Sequence, residues 1–234
     1  MEYIKNYNNY NDDIILEKLN LKSLLDTFKS LNSKKVATFI VGGLLTMMTV
    51  TQTINYINNL NLNANQKITL IHTVDKFKDP LSFGVSNFIY EHIKNHEKLK
   101  LKAYRLKDNK ITIGFGHAEN IGESKFKIGD QITKEQADQL FEQDLQFAYD
   151  GVRRIFKEWN KKGINIKLTQ NQFDVLVSLA FNMGIDNLRT SDFIQALKRK
   201  DIKNASELIK ITGLRDGFAG LVDRREEEYN IFIS

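Results

Sequence analysis

Apolar positions recur along this chain in two rhythms. From about residue 132 onward the rhythm is helical. Ala137, Leu140, Phe141, Leu145 and Ala148 share one face, and Thr133 with Gln136 forms a capping box ahead of them. Phe173, Leu176, Val177, Ala180 and Phe181 repeat the pattern behind Thr169 and Gln172, with Gly184 as the stop. Ser191 caps "DFIQALKRK", Asn204 opens "ASELIKI", and "LVDRREEEYNIF" predicts a final amphipathic helix. Between residues 99 and 115 the rhythm changes. "LKLKAY" and "KITIGF" alternate as half-buried strands do, and "LKDN" between them reads as a turn because Asp108 and Asn109 tolerate left-handed backbone. Upstream, "SNFIYEHIKNHE" reads as a helix ending near Glu97. A small early hairpin and a helical body make an α+β arrangement.

The first 80 residues hold neither rhythm for long. Asn-rich stretches open and close them, and residues 14–31 carry a moderate amphipathic helix signal through Ile15, Leu19, Leu24, Leu25 and Phe28. Residues 36–66 contain no charge, and 36–50 are mostly apolar. With Thr51, Gln52, Thr53 and Asn55 included, the run reaches the roughly 20 residues of a membrane span. Lys34 and Lys35 just before it would keep the N-terminus cytoplasmic. The expectation is a helical N-terminal extension over residues 1–80 with a candidate transmembrane anchor at about 36–57. A helix buried against protein is the alternative. Residues 86–234 form one compact domain of ordinary size.

Composition narrows the chemistry. The 234 residues include no cysteine, which excludes disulfides, thiolate metal sites and Cys nucleophiles. A net charge of +5 favours an anionic partner. No nucleic-acid motif, phosphate-cradling loop or Ser-His-Asp order stands out, so no nucleic-acid partner is expected. Glu97, between a helix end and a strand, could sit in a cleft as a general acid. Gly114 and Gly116 leave one strand face without side chains, where backbone or ligand can approach. His92 and His96 share a helix face at a spacing that could bind zinc, but no third protein ligand is evident, and no metal is expected. "RREEE", residues 224–228, reads as a helix face with i, i+4 charge pairing, from which an arginine could reach Glu97.

Three blocks in register, "HEKLKLKAYRLKDNKITIGFGH", "LTQNQFDVLVSLAFNMG" and "GLVDRREEEYNIF", resemble the phage-type lysozymes, the endolysin family. The resemblance covers about residues 88–232 and is silent on residues 1–80. It implies a small β-hairpin lobe, a larger helical lobe, no cofactor, and cleavage of bacterial peptidoglycan between N-acetylmuramic acid and N-acetylglucosamine. It makes Glu97 the general acid and Thr112 the residue that helps position the attacking water. Phe115, His117, Phe181 and Asn182 match positions lining or supporting the sugar cleft, and Arg224 or Arg225, with Arg224 favoured, matches the basic partner of the acid. Leu106 stands where the family has a second acid, Asp, and Asn109 replaces its turn glycine. Asp108 is the nearest carboxylate to take that role. The alternatives are a lytic transglycosylase using Glu97 alone, or a wall-binding or virion protein that no longer cuts. The resemblance further implies a phage-encoded protein, membrane-anchored facing the host wall or virion-associated.

Overall fold

The computed structural model describes residues 21–31, 33–105, 110–120, 122, 124–214 and 219–234. Four helices come first: α1 (Leu21–Leu31), α2 (Lys34–Met47), α3 (Val50–Asn59) and α4 (Ala64–Val74). A 3₁₀ turn, Pro80–Ser82, leads to α5 (Asn87–His96), then to strands β1 (Lys100–Arg105), β2 (Lys110–Gly114) and β3 (His117–Asn120). The helical body follows with α6 (Lys134–Lys161), α7 (Gln170–Met183), α8 (Ile185–Thr190), α9 (Asp192–Lys198), α10 (Ile202–Ile209) and α11 (Ala219–Phe232).

Local chemistry explains most boundaries. Thr133–Gln136 and Thr169–Gln172 form the expected capping boxes, with both reciprocal hydrogen bonds made. Gly184 ends α7 at φ 85°, backbone that favours glycine. Helix α10 starts earlier than its sequence suggests, because Asp201 supplies the cap by accepting from the Asn204 N–H. The three strands form an antiparallel meander in the order β1-β2-β3. The third strand pairs Ile113 with His117 across the three residues Gly114, Phe115 and Gly116, and no apolar alternation marks its "HAEN".

Helix α6, at 1.5 Å per residue about 42 Å long, joins the lobes. Its first turns lie under the sheet, where Ala137 Cβ comes within 3.4 Å of the place a Cβ on Gly114 would take. Its remaining apolar stripe, from Phe141 to Trp159, packs into the main core with α7, α9 and α11.

The extension builds its own core from Leu25, Phe28, Ile40, Val41, Leu44, Ile57, Leu70 and Phe77. The expected membrane segment at 36–57 is not one helix. Thr49 opens a new capping box with Gln52, so the chain breaks between α2 and α3. At 14 residues α2 is about 21 Å long, short of a bilayer core of about 30 Å. No helix among the described residues is long and apolar enough to cross a membrane. The apolar side chains of α2 face protein on two sides instead. Ile40, Val41 and Leu44 enter the extension's core, while Phe39 packs against the main one. At Gly42 the helix passes within contact of Phe77 and Ile202; an added Cβ would lie 3.4 Å from the Phe77 ring.

The connector is pinned to the body. Lys78 and Leu168 exchange backbone hydrogen bonds of 2.8 and 3.0 Å, and Arg153 donates to the Leu81 carbonyl at 2.6 Å. Replacing Gly42 with leucine forces side-chain volume into the seam between extension and body. Overpacking of that kind is expected to lower stability by about 1–3 kcal/mol, read from the urea midpoint.

Candidate active site

Glu97 is the C-cap of α5, and its backbone has turned to extended geometry (φ −94°, ψ 119°) on the way to β1. That turn aims the side chain across to α11, 127 residues later. There Arg224 Nη1 donates to Glu97 Oε1 at 2.8 Å. The Glu97 side chain is 20% exposed and that of Arg224 only 4%. Glu97 therefore stands at a rim, with its partner underneath.

A polar cluster holds Arg224 in place. Its Nε donates to Glu228 Oε1 at 3.2 Å, one helical turn along α11. Ser178 Oγ on α7 donates to the same oxygen at 2.5 Å. Arg225 Nη1 takes the other carboxylate oxygen at 2.5 Å, Arg225 Nε donates to the Thr212 carbonyl at 2.7 Å, and Nη2 donates to Asn182 Oδ1 at 2.6 Å. Arg225 and Glu228 are fully buried. "RREEE" is thus no solvated face: its two arginines and Glu228 point into the protein, and Glu226 and Glu227 point out. Sequence spacing offered Arg224 with Glu228 as an i, i+4 pair, but nothing signalled Ser178 or the burial.

The other carboxylate oxygen of Glu97, Oε2, lies against Gly116. A Cβ there would sit 3.2 Å from Oε2, and the backbone is at φ 89°. The bare strand end expected from "GFG" is therefore where the acid packs. Thr112 is buried on β2 opposite Tyr104 of β1, and its Oγ1 has no hydrogen-bond partner among the described residues. Burial, and then the Glu97 charge, push the Tyr104 pKa up, so its hydroxyl stays protonated beside the acid. Asp108 and Leu106 lie outside the described residues.

A cleft of about 890 Å³ opens beside Glu97 and Arg224. Its lining includes Lys110, Asn182, Asn187, Thr190 and Thr212, along with His96. Of the candidate cleft residues only Asn182 and Arg224 are on this wall. Phe115 and Phe181 pack on Phe141 in the core behind it, with ring centroids 5.6 and 5.3 Å away, because both sides of that ring need apolar cover. His117 is also elsewhere. Its Nδ1 meets both oxygens of Asp144 on α6 at 3.0 and 2.9 Å, and its Nε2 lies 3.3 Å from Glu119. It ties the sheet to the long helix.

A rim carboxylate, a buried arginine partner and a cleft between a small sheet and a helical body are the architecture of a lysozyme-type glycoside hydrolase. Residues 94–228 match the phage lysozyme family. The chain belongs to that family. The endolysin of Acyrthosiphon pisum secondary endosymbiont phage 1 is 34% identical over 148 residues, 61% of this chain and 92% of that protein. The endolysin of Bacillus phage B103 is 34% identical over 148 residues, which cover 61% of this chain but 51% of its own length. Among solved structures, the muramidase domain of SpmX from Asticaccaulis excentricus aligns at TM-score 0.53 and 29% identity, covering 64% of this chain and 98% of that one. An endolysin from Escherichia coli O157:H7 phage FAHEc1 aligns at 0.52 and 30%, covering 64% and 94%. The lobes therefore have the phage-lysozyme fold, preceded here by the helical extension.

Two expected outcomes test this framework. Arg225→Met leaves Glu228 buried without one of its cations, and chemical denaturation should show a loss of about 3–5 kcal/mol. The His117 pKa is raised, first by its hydrogen bond to Asp144, against the desolvation of the ring. The folded protein thus holds that proton more tightly than the unfolded chain. The resulting stability is full below the unfolded value of about 6.5 and is lost as pH rises through the higher folded value. Asp144→Asn should flatten that slope in urea midpoints taken from about pH 5 to about pH 9.

Proposed function

We propose that the protein hydrolyses the glycan strand of bacterial peptidoglycan between N-acetylmuramic acid and N-acetylglucosamine, with Glu97 as general acid, in phage lysis or wall penetration. The observation that carries this reading is the Glu97 carboxyl, held by Arg224 through Oε1 and partly exposed on the wall of the cleft. A general acid must be fixed within hydrogen-bond reach of the oxygen it protonates. Arg224 supplies the fixing, and Gly116 supplies the room.

An inverting hydrolase needs a second carboxylate on the opposite face of the sugar, about 6.5–9.5 Å from the acid, to activate water. In this reading Asp108, between β1 and β2 in the sequence, fills that role in place of the residue replaced by Leu106. Thr112 assists: a buried hydroxyl with no hydrogen-bond partner among the described residues suits a bound water, which accepts or donates the missing hydrogen bond. Asn182, Asn187, Thr190 and Lys110 give the cleft donors and acceptors for sugar hydroxyls and acetamido groups. The net positive charge suits an anionic wall.

Leu106 favours one rival reading, in which Glu97 works alone and the substrate's own acetamido group assists, leaving anhydro-muramoyl ends. Turnover of purified peptidoglycan by the full chain separates the two, with products read by mass spectrometry. Glu97→Gln should lower the rate by at least about 10²–10⁴-fold. Asp108→Asn should lose a comparable factor, and the wild-type products should carry reducing ends. Full turnover by Asp108→Asn together with anhydro ends would overturn hydrolysis in favour of the transglycosylase.

A further inference from the structure

Helices α5 and α11 meet twice. On the cleft side the meeting is Glu97 with Arg224. Beside it, His92 and His96 of α5, the latter also on the cleft wall, face Glu227 of α11. Glu227 Oε2 lies 2.9 Å from His96 Nε2 and 3.6 Å from His92 Nδ1. The two imidazoles stack edge to face with centroids 4.7 Å apart. One donor atom from each of the three residues can be taken so that all lie within 4.8 Å of one another.

Ligands bound at 2.0–2.2 Å in a tetrahedron lie roughly 3.3–3.6 Å apart; the 3.6 Å contact already has that spacing, and the 2.9 Å contact is a hydrogen-bond distance that would open on binding an ion. One Glu227 oxygen serving both rings is a convergent arrangement, with a gap at the centre of the three donors. His92 presents its Nδ1 to this oxygen from a side chain only 9% exposed, so that ring is held in place by its surroundings. Charge also favours a cation here. Glu97, Glu227 and Glu228 outnumber Arg224 and Arg225 around the junction.

We propose that His92, His96 and Glu227 form a binding site for a tetrahedral first-row dication, Zn²⁺ being the type ion, with water as fourth ligand. The metal staples α5 to α11 directly beside the catalytic rim. His96 precedes Glu97 in the chain and Glu227 precedes Glu228, so the staple fixes the two backbones whose side chains make the Glu97–Arg224 bond. Two imidazoles and one carboxylate select Zn²⁺ over Mg²⁺, which prefers oxygen donors and an octahedron.

The test is titration of tag-free full-length protein, stripped with chelator, by ZnCl₂ in a calorimeter, with thermal melting alongside. One saturable site and a rise in melting temperature are expected, with MgCl₂ giving neither. Glu227→Gln changes an exposed side chain, so the fold survives it. That variant and His96→Gln should each weaken Zn²⁺ binding by at least about tenfold and lose the melting shift. Absence of saturable binding, an equal response to Mg²⁺, or unchanged affinity in both variants overturns the site.

Discussion

One buried carboxylate, Glu228, governs the site. It lies fully enclosed between Arg224 and Arg225, accepts from both and from Ser178, and so ties α7 to α11. A buried ion is destabilising unless its charge and its lone pairs are both met. Here they are met by donors from α7 and from α11 itself, and Arg225 extends the tie to Asn182 and to the Thr212 carbonyl. Two arginines against one glutamate leave a surplus positive charge. Glu97 neutralises it from the rim. The residue assigned to the chemistry thus also completes the charge balance of the core beneath it, which explains why its position is so tightly held in a cleft open to solvent.

Much of the fold was legible because its signals are local. Capping boxes, the Gly184 stop and the 3.6-residue apolar stripes concern neighbours in the chain, and the structure follows them to within a residue or two. The third strand was not legible: "HAEN" has no apolar alternation, and it pairs only because the turn at Gly116 returns it to β2. The site splits in the same way. Glu97, Thr112 and Arg224 stand out through motif register, whereas Ser178 beneath Glu228 and Asp144 of α6 beside His117 lie where no local pattern points. Phe115 and Phe181, matched to positions lining or supporting the cleft, stand behind its wall, packed on Phe141.

The uncharged run of residues 36–66 carries a related lesson. Hydropathy measures avoidance of water and is blind to what replaces it. A lipid span and a helix shared by two protein cores are both apolar all round. What separates them in this chain is punctuation: Thr49 and Gln52 satisfy the N–H groups of a new helix start, and a span would not need that cap. Gly42 points the same way, since a bare helix surface is where Phe77 and Ile202 come closest. The extension is thereby coupled to the body through α2 and α10, on the side of the helical lobe that α10 shares with α9 and α11.

That coupling leads back to the acid. Glu97 ends a helix, where the last carbonyls of α5 place partial negative charge beside the carboxyl. Arg224 places full positive charge on the other side, at hydrogen-bond distance. The bond between them therefore depends on the angle and separation of α5 and α11 more than on any residue beside Glu97 in sequence. Elements that fix this geometry are Glu228 on the arginine, Gly116 by yielding space, and the histidines of α5 with Glu227. Helices α5 and α11 both contact α7, whose Asp174 holds the Ser86 cap of the first and whose Ser178 holds Glu228 of the second. Helix α7 is therefore the ruler that sets the distance between acid and arginine, and the apolar packing of its buried face keeps that ruler straight.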